Sequence, residues 1–160
     1  MRNNFGFTIM ELMVVIAILA VLSALGLPSF VNWRDEAKLK DAISLLRGDI
    51  EMAKLRAVRE GDFVAILFNT NGYTVFVDDG LEVEADRGDW EIDPNEQVLQ
   101  NRQLPAGVTI DVADSDMFDN DRTRFNGRGR IGILGIVTLN AAGRQRKLDM
   151  NNRFGRITIR

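Results

Sequence analysis

An α+β fold is predicted: one long N-terminal hydrophobic helix, then a small antiparallel β-rich globular domain. Three observations predict it. Residues 7–27 form a nearly unbroken apolar run. From Trp33 to Val58, apolar residues recur in steps of three and four, the spacing of one helical face. Beyond Gly61 the hydrophobic period drops to two, with turn residues between short runs.

The first element is the apolar run. From Phe7 to Leu27 only Thr8, Glu11, Ser23 and Gly26 interrupt it. As a helix it measures roughly 31 Å at about 1.5 Å per residue, enough to cross a bilayer's hydrocarbon core. Arg2 and the initiator amine precede it, so the positive-inside rule places the N-terminus in the cytoplasm and the rest outside. Glu11 is the anomaly. A carboxylate inside a span costs up to about 3 kcal/mol, and the run holds no Lys, Arg or His to pair with it. A secretory signal peptide competes poorly. The run exceeds the usual h-region of about 7–15 residues, and Ser23-Ala24-Leu25-Gly26 is a mediocre cleavage site. A plain anchor leaves Glu11 unexplained.

Pro28 lacks an N–H and clashes with the preceding turn, which predicts a helix kink near Leu25–Pro28. The amphipathic part, residues 28–61, follows. Leu39, Ile43, Leu46, Ile50, Ala53 and Ala57 make its apolar stripe, opposite Lys40, Asp41, Glu51 and Arg59. Gly61 is the expected cap. Trp33 is placed like an interfacial aromatic.

The globular domain is expected over residues 62–160. Strands are predicted at 63–68 and 73–77, joined by an Asn69-Thr70-Asn71-Gly72 hairpin with Asn-Gly as its strongest element. Residues 78–95 read as an acidic loop. Further strands are expected at 97–99 and 108–112, around the Pro105-Ala106-Gly107 turn. Others follow at 123–125, 135–139, 145–150 and 156–159, with Ala142-Gly143 and Asn151-Asn152 as turns. The total is seven or eight antiparallel strands, one face covered by the helix.

Composition excludes several chemistries. The chain has no cysteine and no histidine. A His-based catalytic triad and the common His/Cys zinc sites are therefore ruled out, and the core must hold without disulfides. Gly127-Arg128-Gly129-Arg130 lacks the Gly-Lys-Ser/Thr of a phosphate-binding loop. No catalytic residue, metal site or cofactor is assigned, and no feature argues for an enzyme. Charge is strongly segregated. Residues 78–121 carry 14 acidic and two basic side chains, whereas 122–160 carry ten basic and one acidic. Such asymmetry points either to an electrostatic partner or to the two parts pairing in the fold. The acidic stretch 114–121 offers oxygens to calcium but lacks the helix-loop-helix spacing, so a solvated loop, or one paired to the basic strands, is the preferred reading.

Gly6-Phe7-Thr8-Ile9-Met10-Glu11-Leu12, continued by Met13-Val14-Val15-Ile16-Ala17-Ile18-Leu19, resembles the N-terminal motif of type IV pilins and pseudopilins. Ala53-Lys54-Leu55-Arg56-Ala57, followed by a strand, is similar to the helix end of the GspH/FimT type, with Lys54 where arginine is usual. Looser matches are Val75–Asp78, Asn95–Leu99, Phe125–Gly129 and Gly155-Arg156-Ile157.

The resemblance implies a pilin-like fold and a prepilin leader over residues 1–6. It implies cleavage by a prepilin peptidase after Gly6 and N-methylation of Phe7. Glu11 would face the terminal amine of a neighbouring subunit, where two costly buried charges offset each other. Pro28 matches the family's helix proline. The implied partners are other pilin or pseudopilin subunits, the peptidase, an inner-membrane assembly platform and membrane lipid. The implied location is the inner membrane, single-pass with a periplasmic domain, and then a pilus or pseudopilus. Type II secretion and the type IV pilus both fit.

A FimT-like DNA receptor is the alternative. It would use Arg128, Arg130, Arg144, Arg146, Arg156 and Arg160. The motif position Gly155-Arg156-Ile157-Thr158 lacks its second arginine, so contact with partner subunits is preferred for these side chains.

Overall fold

A computed structural model describes residues 7–79, 88–92, 96–114 and 116–160; the side chains of residues 25–29 lie outside that description. The order is α1 (Ile9–Glu60), β1 (Phe63–Asn69), β2 (Gly72–Asp78), β3 (Val98–Gln103), β4 (Val108–Ile110), a short 3-10 turn (Asp119–Asp121), β5 (Arg122–Phe125), β6 (Ile136–Ala141), β7 (Arg144–Asp149) and β8 (Thr158–Ile159). This is the expected α+β layout, with every strand pairing antiparallel.

The chain forms two compact units, divided between Asp35 and Glu36. In the first, the helix starts at a Thr8 cap. The Glu11 amide donates to Thr8 Oγ1 at 3.2 Å, and the Leu12 amide donates to the Thr8 carbonyl at 3.2 Å. Apolar side chains are exposed on every side of it, among them Ile9, Met13, Ile16, Leu19 and Leu22. The helix assignment continues through position 28 without a break, so the expected kink at Pro28 is not an interruption of the helix. The expected span over 7–27 is not supported by the described residues, among which no helix is long and apolar enough to cross a membrane. The leader, with Gly6, lies outside the described residues.

In the second unit, all six residues of the predicted stripe, Leu39 to Ala57, are buried. Gly61 ends the helix as expected. Its φ is +76°, a left-handed conformation that glycine adopts without a Cβ penalty, and its amide donates to the Ala57 carbonyl at 2.9 Å. The strands make two four-stranded sheets, ordered β3-β2-β1-β5 and β4-β6-β7-β8. The helix stripe joins Val64, Ile66, Tyr73 and Val75 of the first sheet and Val137, Leu139 and Leu148 of the second in one hydrophobic core.

Two turns differ from the sequence expectation. In the first hairpin Asn69 pairs with Gly72, so the loop is Thr70-Asn71 and Gly72 belongs to β2. Glycine is required there because a Cβ would collide with the Arg102 carbonyl of β3. The Pro105–Gly107 turn does not join a hairpin. It carries the chain from β3 in one sheet to β4 in the other. The Ala142-Gly143 turn behaves as expected. Both residues have positive φ, 48° and 77°, and Ala141 pairs with Arg144 across it, the geometry of a two-residue hairpin loop.

Candidate assembly and partner surfaces

The N-terminal segment combines three features. Phe7 is 87% exposed. Thr8 and Glu11 occupy the first and last places of a Thr-x-x-Glu capping sequence, and the Thr8 half of that box is formed. Glu11 therefore stands in the first helical turn, where the helix dipole favours a negative charge by about 0.3–1 kcal/mol. The apolar run holds no cation for this carboxylate, and the helix terminus itself offsets part of its cost. A helix apolar on all sides is suited to lipid or to the interior of a larger assembly.

The six arginines do not converge on one site. Arg144 and Arg146, from β7, reach Glu36 on α1 at 2.6 and 3.6 Å. Arg160 reaches Asp149 at 2.9 Å. Arg128, Arg130 and Arg156 are exposed. The first two project from a turn organised by Asn126, whose Oδ1 accepts from the amides of both at 3.0 and 3.1 Å. The glycines that alternate with them, Gly127 and Gly129, serve packing. A Cβ on Gly127 would lie 2.5 Å from the Gly61 backbone at the helix end.

Part of the charge segregation resolves inside the fold. Asp114 accepts from Thr138 Oγ1 at 2.7 Å and from Lys147 Nζ at 3.3 Å, and Asp116 lies 3.8 Å from the same lysine. These bonds hold the Asp114 carboxyl below the usual carboxylate range, the Thr138 hydroxyl contributing most. Asp114 is thus occupied by protein donors. Among the described residues no group of three or more acidic side chains could hold a metal ion.

Three arrangements escaped sequence reading. In the first, Asp49 Oδ2 accepts from Tyr73 Oη at 2.8 Å and from Arg102 Nε at 3.0 Å, linking α1, β2 and β3. Burial, reinforced by the Asp49 bond, pushes the Tyr73 hydroxyl well above its usual range. The second is centred on Asp78, fully buried at the end of β2. Its Oδ1 accepts from the Gly88 amide at 2.6 Å, and Arg124 Nη1 donates to the Gly88 carbonyl at 2.6 Å. The Arg124 guanidinium lies 4.3 Å from the Phe63 ring centre and 4.2 Å from that of Trp90. Desolvation raises the Asp78 carboxyl and lowers Arg124. In the third, Lys54 Nζ donates to the carbonyls of Phe154 and Gly155, both at 3.0 Å. That explains a long cation at this helix position. Only its place in the Ala-Lys-Leu-Arg-Ala sequence could have hinted at the role.

Comparison with known proteins places these features. The model of the type II transport protein GspH matches residues 42–153, and that of the prokaryotic N-terminal methylation motif matches residues 1–27. The type IV major pilin protein PilA of Myxococcus xanthus (strain DK1622) is 27% identical over 81% of this chain and 54% of its own length. Prepilin peptidase-dependent protein D of Escherichia coli (strain K12) is 53% identical over 27% of this chain and 30% of its own length. The type IV major pilin protein PilE1 of Neisseria gonorrhoeae is 44% identical over 27% of this chain and 26% of its own length. The chain thus spans about half or less of the length of these relatives. No solved structure matches it. One match covers the capped apolar helix and the other most of the helix-plus-two-sheet domain, and the chain belongs to the prepilin-like GspH family of pilins and pseudopilins.

Proposed function

We propose that this protein is a minor structural subunit of a pilus or pseudopilus, in a type II secretion or type IV pilus machine. Its precursor is cut after Gly6 by a prepilin peptidase and methylated on Phe7. The apolar segment 7–27 holds it in the inner membrane, N-terminus inside and β domain in the periplasm, until an assembly platform moves it into the fibre. Lipid around this helix is then exchanged for the helices of other subunits. The bend expected at Pro28 gives the helix a place to adjust between the two settings.

One observation carries the reading. A helix apolar on all sides follows an exposed Phe7 and carries a single carboxylate, Glu11, in its first turn. In this reading Glu11 pairs with the terminal amine of the next subunit and sets the axial register. The work is mechanical, and no side chain is assigned a catalytic role. Pairing of Arg144 and Arg146 with Glu36, and of Arg160 with Asp149, favours a structural subunit over the DNA-receptor alternative. That alternative retains Arg128, Arg130 and Arg156.

Intact mass and N-terminal sequencing of protein extracted from membranes test the proposal. The expected mature terminus is N-methyl-Phe7. A terminus after Ala24, or an uncut chain in cells with active prepilin peptidase, overturns it.

A further inference from the structure

The second sheet has an open edge that no described element closes. Strand β8 pairs with β7 on one side, Leu148 opposite Ile159 and Asp149 opposite Thr158. Lys147 and Arg160 exchange both backbone hydrogen bonds, at 3.1 and 2.8 Å. In an antiparallel pair such bonded positions alternate with positions whose backbone groups point away. The N–H and C=O of Ile159, and of Ile157 by the same alternation, are therefore directed away from β7. Among the described residues no backbone hydrogen bond engages either one.

These groups open onto a groove of about 700 Å³, within the range of ligand-sized pockets. Its far wall is α1, which presents Arg47, Glu51, Lys54 and Leu55 on successive turns. Leu55 is 69% exposed, a large apolar side chain without cover. Arg47 is neutralised by Glu51 at 2.9 Å. Lys54 is bonded only to carbonyl oxygens, and Arg156 has no acidic partner among the described residues. The groove thus keeps a surplus of positive charge beside an apolar wall and a row of free backbone groups.

We infer that this groove binds an extended, acidic polypeptide segment of a partner subunit, which adds as a strand to the free edge of β8. The mode is β-augmentation: main-chain bonds supply affinity and alternate side chains supply specificity. The segment's apolar side chains would cover Leu55, and its carboxylates would meet Lys54 and Arg156. A nucleic acid fits less well. No aromatic side chain lines the groove, and single-strand binding relies on stacking. The identity of the partner as a fibre subunit rests on the proposed function; the groove chemistry does not.

The test uses the full chain in detergent micelles and amide hydrogen exchange at Ile157 and Ile159. The probe is a capped peptide of alternating glutamate and valine, about eight residues long, within the usual range of strands. Slowing of exchange at both amides by about tenfold or more is expected. The corresponding lysine–valine peptide should fail, and so should the glutamate peptide N-methylated on alternate amides. Arg156→Glu should weaken binding by about tenfold or more, since like charges then face each other. Ile159→Pro should abolish it, because it removes an outward N–H that the fold does not use. If Ile159→Pro does not fold, the exposed Arg156→Glu change and the N-methylated peptide still decide. No protection, equal protection by the lysine peptide, or tighter competition by a single-stranded oligonucleotide overturns the inference. Failure here with N-methyl-Phe7 present leaves the subunit reading standing. Protection with no processed terminus removes the subunit as partner and keeps the groove.

Discussion

The Tyr73 hydroxyl and the Asp49 carboxylate, 2.8 Å apart, tie β2 to α1 below the surface, and Arg102 of β3 shares the same carboxylate oxygen. Three elements far apart in the chain meet on one atom. Tyr73 is the chain's single tyrosine, which makes the bond directly observable.

In an alkaline titration, tyrosinate absorbance should stay silent past the ordinary value near 10 and appear only with unfolding. Burial, then the Asp49 bond, raises the folded-state ionisation of Tyr73. Its stabilisation is complete below about pH 10 and is lost as pH rises above it. Tyr73→Phe should cost about 1.5–3 kcal/mol at neutral pH, the usual worth of a bond to a charged acceptor, read by urea unfolding. A normal tyrosine titration in the folded protein contradicts the buried bond.

Asp78 gives a dependence at the other end of the scale. Desolvation outweighs its bond to the Gly88 amide and the attraction of the Arg124 charge, and raises its carboxyl. A raised carboxyl favours the folded state below the unfolded value near 3.8, and that advantage is lost as pH rises through the folded value. Asp78→Asn should remove this contribution. The stability of the wild type relative to the variant should therefore fall over the acid window as pH rises above about 3.8. A flat difference across that window refutes the assignment.

Gly127→Ala should destabilise by about 1–3 kcal/mol, the cost of forcing extra volume into close packing. The added methyl would meet the backbone of Gly61, which cannot swing aside as a side chain can. Thermal unfolding of the variant measures this, and an unchanged midpoint would show that the turn does not press on the helix end.

Ala142→Asn should stabilise by up to about 1 kcal/mol. Ala142 sits at φ 48° beside Gly143, and a left-handed conformation costs most residues about 1–2 kcal/mol. Asparagine tolerates it and forms the preferred Asn-Gly loop. A loss of stability in denaturant would argue against this turn type.

Glu11→Gln separates two roles of one side chain. Glutamine retains the Thr-x-x-Gln form of the capping box and removes the charge. If pairing with a neighbouring amine drives assembly, Gln and Ala variants should enter fibres equally poorly while inserting into membranes normally. Incorporation of the Gln variant at the wild-type level would leave helix capping as the role of Glu11.

Elements governed by local periodicity were legible in the sequence. The stripe from Leu39 to Ala57, the cap at Gly61 and the strand pair expected at 63–68 and 73–77 follow from spacing and turn chemistry alone, each strand one residue longer at its hairpin end than expected. Strand β3 was harder. Only Val98 and Leu99 carry an apolar signal, and Gln100–Gln103 pair as part of a partly exposed edge strand. The division into two sheets was not visible, because alternation along a strand does not say which neighbour it will choose. The Asp49–Tyr73–Arg102 group was invisible for the same reason. Its members share no spacing, and each reads alone as an ordinary residue of its element. The arginines misled differently: clustering in sequence suggested one surface, whereas opposite ends of a hairpin and a separate turn distribute them.

The crossing at Pro105–Gly107 has a mechanical consequence. Strand β4 enters the second sheet before the first is complete, β5 then returns to finish the first, and β6 goes back again. The two sheets are laced through each other and cannot be separated like pages. Peeling β5 from the edge of one sheet draws on the same stretch of chain that anchors β4 at the edge of the other. A tug on either sheet is therefore shared by both, and the domain should yield in one step under load.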